Sequence, residues 1–177
     1  MEVEICSAGG YNEVGKNMTA IRIDDEVILC DMGIFLPPIV DLQQDDQQRQ
    51  KNMSSLELIN IGAIPDDTVL DDWKDKVTAI VLGHAHLDHI GAVQYLAGKY
   101  RAPIFGSPFS LQVLKAILED DKIDLPNKIN PIAMDKKVRI TDNIELELIS
   151  ISHSTLQCSI VAMRPKRSVR WVPFMAP

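Results

Sequence analysis

All four histidines of this chain fall in two short stretches: His84, His86 and His89 in Gly83-His84-Ala85-His86-Leu87-Asp88-His89, and His153 in Ser152-His153-Ser154. Imidazole used for ordinary packing would be scattered. Here three nitrogen ligands and the carboxylate of Asp88 share six consecutive positions. That density has the chemistry of a metal site, and the number of ligands suits two ions. In an extended loop His84 and His86 project to the same side, because side chains alternate with a period of two, so they can share one ion. Asp88 and His89 point differently and can serve a second. Imidazole and carboxylate suit Zn²⁺, with Mn²⁺ as the lesser candidate. A pair of such ions polarises a phosphoryl oxygen and activates a water nucleophile. The plainer readings are a solvated polar loop for the cluster and a core-edge histidine for His153. The density of the cluster argues against the first, and the want of a third imidazole for the first ion argues against the second.

The elements around these residues are legible. The apolar run Val77–Leu82 reads as a strand that delivers the loop. Ile90, Val93, Leu96, Ala97 and Tyr100 recur at helical spacing, so Asp88 and His89 stand where one helix begins. The free N–H groups and partial positive charge of a helix N-terminus hold a carboxylate there. His153 closes a strand, a rigid place from which to deliver a distant ligand. Upstream, Val3 and Ile5 alternate with acids, Met18–Ile23 alternates again, Asp24-Asp25 turns, and Val27–Cys30 runs apolar into Asp31. These read as a strand and a hairpin. Residues 37–76 look different: Pro37-Pro38 breaks the pattern, Gln43–Lys51 is almost wholly polar, and a short helix over Ser54–Ile59 takes Ser54 or Ser55 as its cap. This segment reads as a surface excursion. Downstream come a short strand over Ala102–Phe105, a helix from about Ser110, a hairpin of Val138–Ile140 with Ile144–Ile151, and a strand over Ile160–Met163. The order predicts a mixed sheet with helices on it, a layered α/β fold.

The bulk properties bound the rest. At 177 residues, 46% hydrophobic and 24% charged, the chain suits one globular domain. No apolar run approaches the ~20 residues a membrane span needs, and Met1–Ile5 lacks the features of a signal peptide. Three cysteines, Cys6, Cys30 and Cys158, are an odd number with no close pair. They read as reduced, buried small hydrophobes in a cytoplasmic protein. The net charge is −7, unevenly spread: 14 basic against 25 acidic residues give Met1–Met163 a charge of −11, while Arg164, Lys166, Arg167 and Arg170 follow with no acid after Glu147. An acidic body accepts a polyanionic substrate where metal ions supply the local positive charge.

His84-Ala85-His86-Leu87-Asp88-His89 resembles the His-x-His-x-Asp-His motif of the metallo-β-lactamase superfamily, set between a strand and a helix as in that family. Asp31 is similar to the superfamily's first motif, an acid that braces the metal loop; as a residue alone it reads equally as a turn Asp. His153 resembles the third motif. Gly9-Gly10-Tyr11-Asn12-Glu13-Val14-Gly15-Lys16-Asn17-Met18 is similar to the N-terminal signature of the ribonuclease J family, and Phe35-Leu36-Pro37 and the Gln/Asp-rich excursion fit the same family. The resemblance covers Met1 to about Met163. It implies an αββα sandwich of which this chain holds the N-terminal half, with His84, His86 and His153 on one Zn²⁺, Asp88 and His89 on the other, and Asp88 also orienting the attacking water. It implies RNA as substrate of a full-length parent, degraded from the 5′ end, with some members of the family also cutting internally. Ser154 could touch a phosphate; the plainer reading is a strand-end hydroxyl.

The sequence also departs from that family, which needs a later bridging Asp, a further His and an inserted β-CASP domain. No acid follows Glu147 and no histidine follows His153. The expectation is a partial metallo-β-lactamase domain over residues 1–163, a basic tail over 164–177 that is foreign or disordered, and no β-CASP domain. Such a chain should be inactive as a nuclease and should self-associate through uncovered apolar surface. Two competing readings remain open at this point: a small-molecule hydrolase of thioesters, lactams or lactones, and a non-catalytic fragment that keeps the loop structurally.

Overall fold

The computed structural model describes residues 2–45, 53–166 and 172–174. Six strands form one mixed sheet in chain order: β1 (Val3–Gly9), β2 (Met18–Ile23), β3 (Glu26–Cys30), β4 (Val77–Leu82), β5 (Ile104–Gly106) and β6 (Ile129–Pro131). The first three pair antiparallel, and β3 through β6 run parallel. A second, antiparallel sheet has the order β10-β9-β8-β7, from β7 (Lys137–Arg139), β8 (Ile144–Ser150), β9 (Ser159–Pro165) and β10 (Val172–Phe174).

Strands β2 to β4 are apolar nearly throughout because the sheet is covered on both faces. Alternate residues part to opposite sides. Ala20, Val27, Leu29, Ile80 and Leu82 pack under the helices, whereas Ile21, Ile28, Cys30, Ala79 and Val81 meet Ile144, Leu146, Leu148, Val161 and Met163 of the second sheet. The layers are therefore helix, sheet, sheet. Among the described residues the buried apolar side chains of the helices all join the first cluster, and none packs on the far face of the second sheet.

Two expectations need correction. Residues 37–76 are more than a surface excursion. They hold helix α1 (Leu36–Asp45), helix α2 (Ser55–Asn60) and a 3-10 segment (Asp67–Lys76). Pro37 and Pro38 lie in the first turn of α1, where the missing N–H costs nothing. Ile39, Leu58, Ile64 and Leu70 are fully buried, each contributing about 1.5–3 kcal/mol. Ser54 does cap α2, in a reciprocal capping box with Glu57.

The single helix expected after the histidine loop is broken into α3 (Leu87–Ile90) and α4 (Val93–Leu96), followed by a 3-10 turn over Ala97–Lys99. The cause is competition for carbonyls. Asp88 O accepts from Asn17 N, His89 O accepts from Met32 N, and Ala92 N turns away to Met32 O. Those groups are lost to the helical ladder. Gly91 fills the break, since a Cβ there would lie 2.6 Å from both Ile34 Cγ2 and Leu87 O. Helix α5 (Pro108–Asp120) begins where expected, capped by Ser107.

Part of the tail over 164–177, expected to be foreign or disordered, lies among the described residues. Arg164 lies on β9, paired with Glu145 at 2.8 Å, and Val172–Phe174 pairs antiparallel with Val161–Met163. Phe174 adds a buried ring to the cluster between the sheets. Residues 167–171 and 175–177 of that tail lie outside the described residues.

Candidate metal centre

The parallel pairing of β3 with β4 puts their C-terminal ends side by side, and the centre is built there. Asp31 follows β3 in the left-handed conformation, φ 63°, and is 2% exposed. Its two carboxylate oxygens are divided: Oδ1 accepts from Gly83 N at 2.8 Å, and Oδ2 accepts from His89 Nδ1 at 2.9 Å. One acid thus fixes both ends of the histidine loop. A proton on His89 Nδ1 leaves Nε2 facing the cavity side, 3.4 Å from Asp88 Oδ2. Burial alone would make His89 less basic, but the bonds to Asp31 and then Asp88 outweigh it and push the pKa up to about 9. The hydrogen bond from His89 holds the Asp88 carboxyl below the usual carboxylate range against the opposing effect of burial.

His84 is buried, and desolvation followed by the charge of His89 pushes its pKa down to about 4. It is therefore a neutral imidazole at pH 7. Its Nε2 lies 3.1 Å from His86 Nδ1, and its ring stands 3.8 Å from that of His89 and 4.9 Å from that of His153. His86 caps α3 with extended backbone, φ −71° and ψ 148°, as a side chain alternating with His84 requires. The rings of His86 and His153 are 5.0 Å apart. Ser154 Oγ is 3.3 Å from His86 Nε2. All these residues except Ser154 line one cavity of about 320 Å³. So the structure brings together His84, His86, Asp88, His89 and His153, with Asp31 behind them.

His153 does not close a strand. β8 ends at Ser150, where Asp135 takes the Ser150 amide, and His153 lies exposed in the loop beyond. The ligand atoms of His84, His153 and Cys158 all lie within 4.8 Å of one another. Cys158, read from sequence as a small buried hydrophobe, is buried but lines the cavity. The donor set fits a metal ion: two imidazole nitrogens face each other at 3.1 Å, with a thiol and a carboxylate on the same cavity wall.

Sequence reasoning missed Asn17. It is 3% exposed, and its Nδ2 donates to Asp88 O at 3.0 Å and Oδ2 at 3.3 Å and lies 3.2 Å from His89 Nε2. Its signal was a lone amide opening an apolar strand. Gly33 was missed too: a Cβ there would fall 1.4 Å from Asp88 O, so only glycine lets the β3 end lie along the histidine loop.

Comparison with known proteins agrees with this geometry. Residues 11–151 match the family described as the Metallo-beta-lactamase superfamily. Over 155 residues the chain is 45% identical to Ribonuclease J of Methanocaldococcus jannaschii, covering 87% of this chain and 34% of that protein. Over 163 residues it is 40% identical to Ribonuclease J of Pyrococcus abyssi, covering 91% and 35%. The chain spans about a third of the length of these relatives. The metallo-beta-lactamase fold protein YhfI from Bacillus subtilis superposes with a TM-score of 0.52 at 15% identity, over 98% of this chain and 62% of that one, which bears on the fold alone.

Proposed function

The chain belongs to the metallo-beta-lactamase superfamily, and on that premise we propose that it supplies the N-terminal, metal-binding part of a ribonuclease of the ribonuclease J type. The proposed reaction is hydrolysis of RNA phosphodiesters from the 5′ end, with internal cutting as the alternative mode, by a water that two bound metal ions would activate. The observation that carries the reading is the convergence of five donors on one cavity braced by Asp31, in a chain 45% identical to a ribonuclease J.

Zn²⁺ is the proposed ion, with Mn²⁺ second. When bound it supplies Lewis acidity for a phosphoryl oxygen and a more acidic water. His84, His86 and His153 would hold the first ion, and Asp88 and His89 the second. The chain's own residues do the rest. Asp31 keeps the His89 Nδ1 proton and so turns Nε2 into the ligand atom. Asn17 holds the Asp88 side chain at Oδ2, which leaves the other carboxylate oxygen to accept from the attacking water. Ser154, whose Oγ is 3.3 Å from His86 Nε2, would donate to a phosphate oxygen. The second ion has only two ligands among the described residues, so the 177-residue chain by itself should bind metal and show little or no RNA decay. Self-association through the uncovered far face of the second sheet, where Ile149 is 39% exposed, is proposed on the same footing. A cytoplasmic setting is proposed too; among the described residues no helix is long and apolar enough to cross a membrane.

The test is RNA decay by this chain joined to the remaining length of a ribonuclease J, with the 177 residues alone alongside. The longer protein should shorten 5′-monophosphorylated RNA in a zinc- or manganese-dependent way and lose this with His84→Ala. Turnover of a thioester or chromogenic lactam without RNA decay would replace the reading with that of a small-molecule hydrolase.

A further inference from the structure

We propose that Cys158 is itself a metal ligand, joining His84 and His153 on the first ion through its thiolate. This rests on the metal-centre reading above and adds a ligand to it. The ligand atoms of His84, His153 and Cys158 all lie within 4.8 Å of one another. Bond lengths of about 2.0–2.3 Å place two ligands of one tetrahedral zinc roughly 3.3–3.6 Å apart, so small side-chain rotations bring all three onto one ion. Cys158 is 3% exposed, yet its side chain belongs to neither apolar cluster and forms part of the cavity wall.

Hydrogen bonds that do not involve the three donor side chains hold these residues in register. Ile151 N donates to Cys158 O at 3.0 Å and closes the loop that carries His153. The next residue is fastened to the neighbour of His84: Ser159 donates to Gly83 O through its N at 3.2 Å and its Oγ at 2.8 Å. Gln157, with φ 51°, makes the turn that aims Cys158 inward, and its Oε1 accepts from Phe109 N at 2.9 Å. Loop ends tied at both sides of Cys158 are what a ligand delivered from a loop requires. On binding, the S–H bond breaks, the sulfur–metal bond forms, and the proton leaves to solvent. A thiolate makes the site select zinc or cobalt over manganese and magnesium.

Two measurements on the whole chain test this. Zinc-edge X-ray absorption of the wild-type protein should reveal a sulfur neighbour at about 2.3 Å; bound zinc with only nitrogen and oxygen neighbours would overturn the proposal and leave the histidine site standing. In parallel, the cobalt-loaded protein should display a thiolate-to-metal charge-transfer band that Cys158→Ser removes while cobalt stays bound, with zinc affinity down at least about tenfold. An unchanged spectrum and affinity in Cys158→Ser would contradict it. If the wild type takes up neither zinc nor cobalt, the metal-centre reading itself fails, a result distinct from both.

Discussion

The two sides of the metal centre are built differently. On the inner side, Asp31, His89, Asn17 and His84 are 2%, 3%, 3% and 7% exposed, and the first three are joined by hydrogen bonds. On the outer side, His153 and Ser154 are exposed on a loop and His86 is half-buried. The inner side is held by the protein whether or not an ion is present. The outer side is tied at its loop ends, by Ile151 N to Cys158 O and Ser159 N to Gly83 O, and the side chains of His153 and Ser154 face solvent. Stability should therefore depend on the inner residues, and ligand affinity on both.

The largest effect should come from breaking the inner brace. Asp31→Ala leaves His89 and the Gly83 amide buried without their acceptor, a loss of about 3–5 kcal/mol in unfolding free energy, measured by urea denaturation of the metal-free chain. A loss under about 1 kcal/mol would mean that the inner side is not pre-built.

A pH series sharpens the same point. His89 has its folded pKa raised from 6.5 to about 9. The net stabilisation from its bonds to Asp31 and Asp88 is therefore fully present below about pH 6.5 and is lost as pH rises through about 9, amounting to about 3 kcal/mol. The metal-free chain should lose thermal stability across that window, and Asp31→Asn should flatten the slope. A wild-type stability that climbs from pH 6.5 to 9 would contradict the assignment.

The smallest stability effect belongs to the outer side. His153→Ala should change unfolding free energy by less than about 0.5 kcal/mol without metal, as exposed substitutions do, while weakening zinc binding by at least about tenfold. Equal zinc affinity would remove His153 from the site.

The motif itself was readable because it is local: His84, His86, Asp88 and His89 sit on a strand–loop–helix unit whose apolar periodicity is plain. The hairpin and a serine cap at Ser54 or Ser55 were readable for the same reason. The broken helix was not, because its cause lies in Asn17 and Met32, which reach the carbonyls of Asp88 and His89 from 71 and 57 residues away along the chain. Leu58 and Leu70 looked like scattered apolar residues in a polar stretch until the sheet gave them a surface to cover. Cys158 carried no signal beside a distant histidine. Only the Ile151–Cys158 and Gly83–Ser159 bonds put its sulfur on the cavity wall.

The most direct test is zinc binding by equilibrium dialysis with metal analysis, on the wild-type chain and on His84→Ala. His84 belongs to the inner side by burial and to the outer side by its contacts with His86 and His153. The account predicts at least one zinc retained per wild-type chain and none retained by a folded His84→Ala. A wild-type chain without zinc, or a variant that binds it equally well, would contradict the claim that this cluster is a metal centre.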